Sequence, residues 1–83
     1  TPQAALLSLI LPRMSPALQA RTLTEVMATA AQVLGEAGAT IAGGHTTHGA
    51  EWTIGVTVTG TLDRAPVTLA GGRPGDALIL TRG

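Results

Sequence analysis

Between Ala42 and Gly49 the chain reads Ala-Gly-Gly-His-Thr-Thr-His-Gly, its densest concentration of residues able to do chemistry. Two adjacent glycines at a strand end let a ligand approach the backbone closely and leave amides free to meet an anion, as in glycine-rich loops that hold phosphates. The same pair also reads as a glycine-rich hairpin turn, since no specific helix signature stands behind it. Spacing leaves both readings open. His45 and His48 could share a metal ion, but zinc asks for three or four ligands and only Glu51 and Asp63 lie nearby. Residues three apart in a strand also point to opposite faces, so a shared ion needs a bend. The two histidines read better as surface or ligand-contact residues than as a metal centre.

Other chemistry is thinner. Ser15 is better used as a helix cap and Ser8 lies inside an apolar run, and no nucleophile elbow surrounds either. Thr53, Thr57 and Thr59 fit a pleated strand surface more simply than a catalytic hydroxyl array. Arg73 and Asp76 flank a Pro-Gly turn, where an exposed salt bridge is the plain expectation. All five basic residues are Arg, so no lysine Schiff base or P-loop lysine comes from this segment. There is no Cys, which removes disulfides, thiolate nucleophiles and thiolate zinc sites.

The elements that must position these residues follow from periodicity. Ala4 to Leu11 is apolar except for Ser8, far shorter than the ~20 residues needed to span hydrocarbon, and reads as a buried strand. No basic residue precedes it and Pro12-Arg13 follow it, which disfavours a secretory leader. Ser15 followed by Pro16 is a helix start signal, because a serine oxygen accepts a first-turn amide and proline suits the first helical position. From there Leu23, Val26, Met27, Ala30, Val33, Leu34 and Ala37 recur at spacings of three and four, predicting an amphipathic helix over 16–37 that Gly38 ends. The period then changes to two. Thr40, Ile41 and Ala42 form a short strand running into the glycines, and Trp52, Ile54, Val56 and Val58 alternate with Thr53, Gly55, Thr57 and Thr59. That apolar row is expected to face a buried interface with a second copy rather than the helix. Residues 67–70 read as a further short strand, and Gly71 to Asp76 as a turn cluster leading into Ala77-Leu78-Ile79-Leu80, whose unbroken apolarity suggests burial on both sides. The predicted order is strand, helix, strand, strand, strand.

Composition bounds what such a unit can be. At 45% hydrophobic and 12% charged residues it has the composition of a folded core rather than of disorder. The formal net charge of zero offers no field to attract polyphosphate backbones or anionic lipid, so neither a nucleic-acid nor a membrane partner is expected. Trp52 is the one aromatic residue, and 83 residues bury a thin core. The chain, which opens on Thr1, reads as one partial domain of a longer protein.

The string from Ala37 onward, AGATIAGGHTTHGAEWTIGVTVTGTL followed by GDALILTRG, resembles the amino-terminal domain of the selenide, water dikinase (selenophosphate synthetase) family. This family belongs to the aminoimidazole ribonucleotide synthetase-like superfamily. Ala42-Gly43-Gly44-His45-Thr46, the alternating strand closing at Thr59-Gly60, and Gly75 to Thr81 carry the likeness, which extends over essentially the whole chain. In thiamine-monophosphate kinase and aminoimidazole ribonucleotide synthetase an acidic residue usually follows the glycine pair; here it is His45.

The resemblance implies an α+β fold, with a long helix on a mixed sheet, and residues 1–83 as a partial N-terminal ATP-binding and dimerisation domain. It implies a cytoplasmic homodimeric enzyme that converts ATP, selenide and water to selenophosphate, AMP and phosphate, with Mg2+ at a nucleotide site between paired subunits. Gly43, Gly44 and His45 match the family's nucleotide-contacting stretch, and Thr46 adjoins it, so ATP binding is expected of these four. The family's reactive Cys or selenocysteine, its Lys and its metal aspartates have no counterpart here, so no residue is assigned as catalytic and the isolated segment is expected to be inactive. Two alternatives are a related enzyme such as thiamine-monophosphate kinase and, for the segment alone, a non-catalytic dimerisation module.

Overall fold

The computed structural model describes residues 1–82. Its elements are β1 (Pro2–Leu11), α1 (Pro16–Glu36), β2 (Thr40–His48), β3 (Thr53–Gly60) and a single 3-10 turn at Leu69–Gly71. The three strands form one sheet in the order β2-β1-β3, with β1 parallel to β2 and antiparallel to β3. The expected α+β class, a long helix on a mixed sheet, is therefore what the chain adopts.

β1 is central and paired on both edges, which satisfies its backbone groups where they leave water. Its odd residues Ala5, Leu7, Leu9 and Leu11 are buried beneath α1, while Leu6 and Ser8 are exposed on the other face. The run read as a buried strand is thus buried on one face only.

α1 starts where local chemistry dictates. The Leu18 amide donates to Ser15 Oγ at 3.3 Å and Pro16 occupies the first helical position. It ends in a Schellman motif: Gly38 adopts φ 83°, its amide donates to the Gly35 carbonyl at 3.0 Å, and the Ala39 amide reaches back to Leu34 at 2.8 Å. Leu23, Val26, Met27, Ala30 and Leu34 are half-buried toward the sheet as the spacing predicts, but Val33 and Ala37 stay exposed. No helix residue is fully buried, so α1 rests on the sheet without a layer behind it.

Three expectations about the second half change. β2 does not stop at Ala42 to turn at the glycines; it runs through them to His48, paired with β1 and not with β3. The apolar row of β3 does not face away from the helix. Ile54, Val56 and Val58 lie opposite Leu9, Leu7 and Ala5, and so share the helix-side face, half-exposed because α1 leaves β3 uncovered. Ala77 to Leu80 is not a strand: it has no ladder partner among the described residues, Leu78 and Leu80 are fully exposed, and 67–70 contributes only to the 3-10 turn. The last strand of the predicted order is therefore missing, because apolarity sets a preference while a strand needs a neighbour to pair with.

Candidate functional site

The glycine-histidine stretch lies on β2, at an outer edge of the sheet. Its pairing register sets where each residue points. Gly44, Thr46 and His48 lie beside Leu7, Leu9 and Leu11 on the helix side; Gly43, His45 and Thr47 lie beside Leu6, Ser8 and Ile10 on the open face. The four predicted nucleotide contacts are thus contiguous in sequence but divided between two faces. What they share is the backbone of an edge strand, whose outward N–H and C=O groups have no ladder partner.

The register also explains the glycines. Ala5 pairs with Ile41 but Leu6 pairs with Gly43, so Ala42 is an extra residue and β2 bulges there. Just past the bulge Gly44 comes so close to β1 that a Cβ would overlap the Leu7 carbonyl oxygen and lie 2.9 Å from its carbonyl carbon. Gly44 is therefore required by the approach of one strand to another, whether or not a ligand comes near. A Cβ on Gly43 would make ordinary contact, 3.5 Å from Leu6 Cδ2. The hairpin-turn reading of the pair is set aside, and only Gly43 remains free to serve a ligand without serving the fold.

Two hollows flank α1. On the β2 side, Met27, Leu7, Leu9 and residues 41–46 surround a groove of about 430 Å³. No Lys or Arg lines it, so anionic charge placed there must meet amides and hydroxyls from β2. On the β3 side, Val26, Ala30, Val33, Leu34, Ile54 and Val56 line an apolar trough of about 580 Å³. A third, smaller hollow joins Arg13, Met14 and His48 beyond the carboxyl ends of the parallel pair.

His45 and His48 stand on opposite faces of a continuous strand, so the bend that a shared ion needs is absent from this segment. Among the described residues no group of three or more His, Cys, Asp or Glu is placed to hold a metal. Arg73 and Asp76 do not form the expected guanidinium pair; the Arg73 amide donates to Asp76 Oδ2 at 2.8 Å, closing the turn through the backbone. The ion pair present among the described residues is Arg21 Nε to Glu25 Oε1, 3.2 Å, exposed on α1. No described helix is long and apolar enough to cross a membrane. Sequence reasoning missed the bulge at Ala42 and the close approach at Gly44; the adjacent glycines were the only local signal of either.

Comparison with known proteins places this arrangement. The N-terminal domain of the AIR synthase related proteins matches residues 1–62, which holds all three strands and the helix. A selenide, water dikinase of Trichlorobacter lovleyi is 42% identical over 66 residues, covering 78% of this chain and 19% of that protein. Another, from a Geobacter species, is 38% identical over the same extent. The chain thus spans about a fifth of the length of the curated relatives it matches. No solved structure matches it.

Proposed function

Since the chain belongs to the AIR synthase related family through its N-terminal domain, we propose that it is part of a selenide, water dikinase, which uses ATP, selenide and water, one phosphoryl group of ATP going to selenide and the other to water, and releases selenophosphate, AMP and phosphate. The likeness to two selenide, water dikinases carries this reading. The glycine pair followed by His45 favours it over thiamine-monophosphate kinase, where an acidic residue usually stands in that position.

Within that enzyme β2 supplies nucleotide contacts. Its edge amides and the His45 side chain act as donors toward polyphosphate oxygens, while Gly43 leaves room for their approach. Thr46, on the helix side, serves the groove beside Met27. Gly44 holds β2 against β1 and offers the nucleotide its backbone alone. Phosphoryl transfer depends chiefly on positioning and on neutralising charge, and this chain offers the first without the second. The carboxylates for Mg2+ do not assemble among its described residues, and it has no Lys or Cys. Those groups belong to other parts of a homodimeric protein, for which the sheet face away from α1 is the surface left to a second copy.

One experiment tests the assignment. The natural gene product should form AMP in a selenide-dependent manner, and the isolated 83-residue chain should not. His45→Ala in the gene product should weaken ATP binding about tenfold, roughly the loss of one charge-assisted hydrogen bond, with its melting temperature unchanged. Unchanged ATP affinity in a folded His45→Ala variant would remove β2 from the nucleotide site.

A further inference from the structure

Pairing of β1 with β2 gathers two basic side chains that the nucleotide reading does not use. Leu11, the last residue of β1, lies in parallel register beside His48, the last residue of β2, and Arg13 follows just beyond the end of β1. Arg13 and His48 are far apart in sequence yet line one hollow together with Met14.

The surroundings of this hollow are built rather than loose. Leu11 is fully buried, and its carbonyl accepts from the Gly49 amide at 3.0 Å, which carries the pairing past His48. Gly49 lies so close to β1 that a Cβ would stand 2.6 Å from Ile10 Cγ2. Met14 is half-buried, with the Thr22 hydroxyl 4.0 Å from its Sδ.

What the hollow lacks is a counter-charge. No carboxylate lines it, and Glu51, the acidic residue nearest His48 in sequence, lies outside it. The first turn of α1, which opens at this end of the sheet, carries no acidic residue. Among the described residues neither Arg13 nor His48 has a carboxylate within 4.0 Å, the ion pair there being Arg21 with Glu25. An anion between the two would be attracted by both. Arg presents a planar fork that matches an oxyanion, and an imidazole has an N–H to donate in either protonation state. The position agrees with the chemistry, since open α/β sheets bind ligands beyond the carboxyl ends of their parallel strands. At about 280 Å³ the hollow falls just below the ~300 Å³ at which pockets for drug-sized molecules begin, so it suits a small ion or one end of a larger ligand.

We propose that Arg13 and His48 form a binding site for a phosphate group at the carboxyl ends of β1 and β2, about 10 Å along β2 from His45. A phosphate group carries close to two negative charges at neutral pH, which two basic side chains without a carboxylate match better than they match a singly charged acid. The inference does not rest on the nucleotide reading of β2. It is tested by calorimetric titration of the natural gene product with sodium phosphate, the ionic strength held constant with chloride. The unaltered protein should bind phosphate with a millimolar or tighter Kd. Arg13→Gln should weaken binding at least about tenfold and His48→Ala about fivefold, each removing a charge-assisted contact. Both side chains are exposed, so each variant should melt within about 2 °C of the unaltered protein. Arg21→Gln, which removes an equal charge already paired with Glu25, should leave the Kd unchanged, as should His45→Ala on β2. Titration with ATP then tells the two sources of phosphate apart. An ATP affinity that falls in Arg13→Gln makes the occupant a phosphate of the nucleotide, and one that holds while phosphate binding is lost makes it a free phosphate. Undetectable phosphate binding, or an unchanged Kd in either folded variant, would overturn the proposal. An equal loss in Arg21→Gln would do so by reducing the effect to net charge, and competition by acetate at the same concentration would do so by removing the preference for a doubly charged group.

Discussion

β2 and β3 flank the same central strand and each carries a glycine beside its middle, Gly44 next to Leu7 and Gly55 next to Ser8. The two glycines are not equivalent. At Gly44 a side chain would collide with the β1 backbone, whereas a Cβ on Gly55 would meet nothing nearer than 3.7 Å, the Ser8 Cβ and carbonyl oxygen. The difference follows from the ladders: β2 is parallel to β1 and bulges at Ala42, while β3 is antiparallel with an undisturbed register from Ala4 to Ile10. A bulge twists and bends its strand locally, and the residue beyond it bears the closer approach. A motif glycine is thus weak testimony for a ligand until its neighbours are known.

The largest expected effect tests that asymmetry directly. Gly44→Val forces side-chain atoms into a backbone that cannot rotate away, so it should cost at least about 3 kcal/mol. A core of four buried β1 residues and Ala39 leaves little reserve against such a loss. The variant should be largely unfolded by circular dichroism at 25 °C, with Gly43→Ala folding normally beside it. A folded Gly44→Val chain would mean that the approach of β2 to β1 is looser than described.

The flanks of α1 differ in the same sense. On the β2 side glycines and hydroxyls leave a groove with mixed lining; on the β3 side β-branched residues floor an apolar trough. Val56 is about half exposed there, so Val56→Asp loses part of a side chain's burial together with strand propensity. About 1 kcal/mol is expected, or roughly 4–8 °C in melting temperature for a domain of this size. Thr57→Asp, on the opposite face, should cost less. The reverse ranking would place the apolar row of β3 on the face away from the helix.

How much of this was legible in the sequence depends on the range of the interaction that decides each element. Ser15-Pro16 and Gly38 fixed the ends of α1 within one residue of where they lie, because caps are built from neighbours in sequence. The alternation from Thr53 to Thr59 showed β3 for the same reason, but not the face it presents, which its register against β1 decides. β2 was cut short at Ala42 because glycine favours turns locally and only pairing with a strand more than thirty residues earlier keeps it extended. Ala77 to Leu80 erred the other way: its composition favours a strand, but no described strand pairs with it. At the candidate site the residue types were readable. Their division between two faces was not, since it rests on one extra residue in a ladder.

The smallest expected effect is the sharpest form of the comparison. Gly55→Ala sits across β1 from the site of the disruptive substitution, in a strand of similar length that carries no acidic or basic side chain. Gly55 has no positive φ, so alanine adopts its backbone conformation without strain. The added methyl finds the Ser8 Cβ and carbonyl at 3.7 Å, ordinary contact distance, and reduces the freedom of the unfolded chain. The balance should favour folding by about 0.5 kcal/mol, a rise of a few degrees by differential scanning calorimetry. Gly43→Ala also meets only ordinary contact and should likewise not lose stability, leaving Gly44 as the one glycine of the three that the sheet itself requires. A loss of stability in Gly55→Ala comparable to that in Gly44→Val would show that both ladders crowd β1 equally and that the bulge at Ala42 does not set them apart.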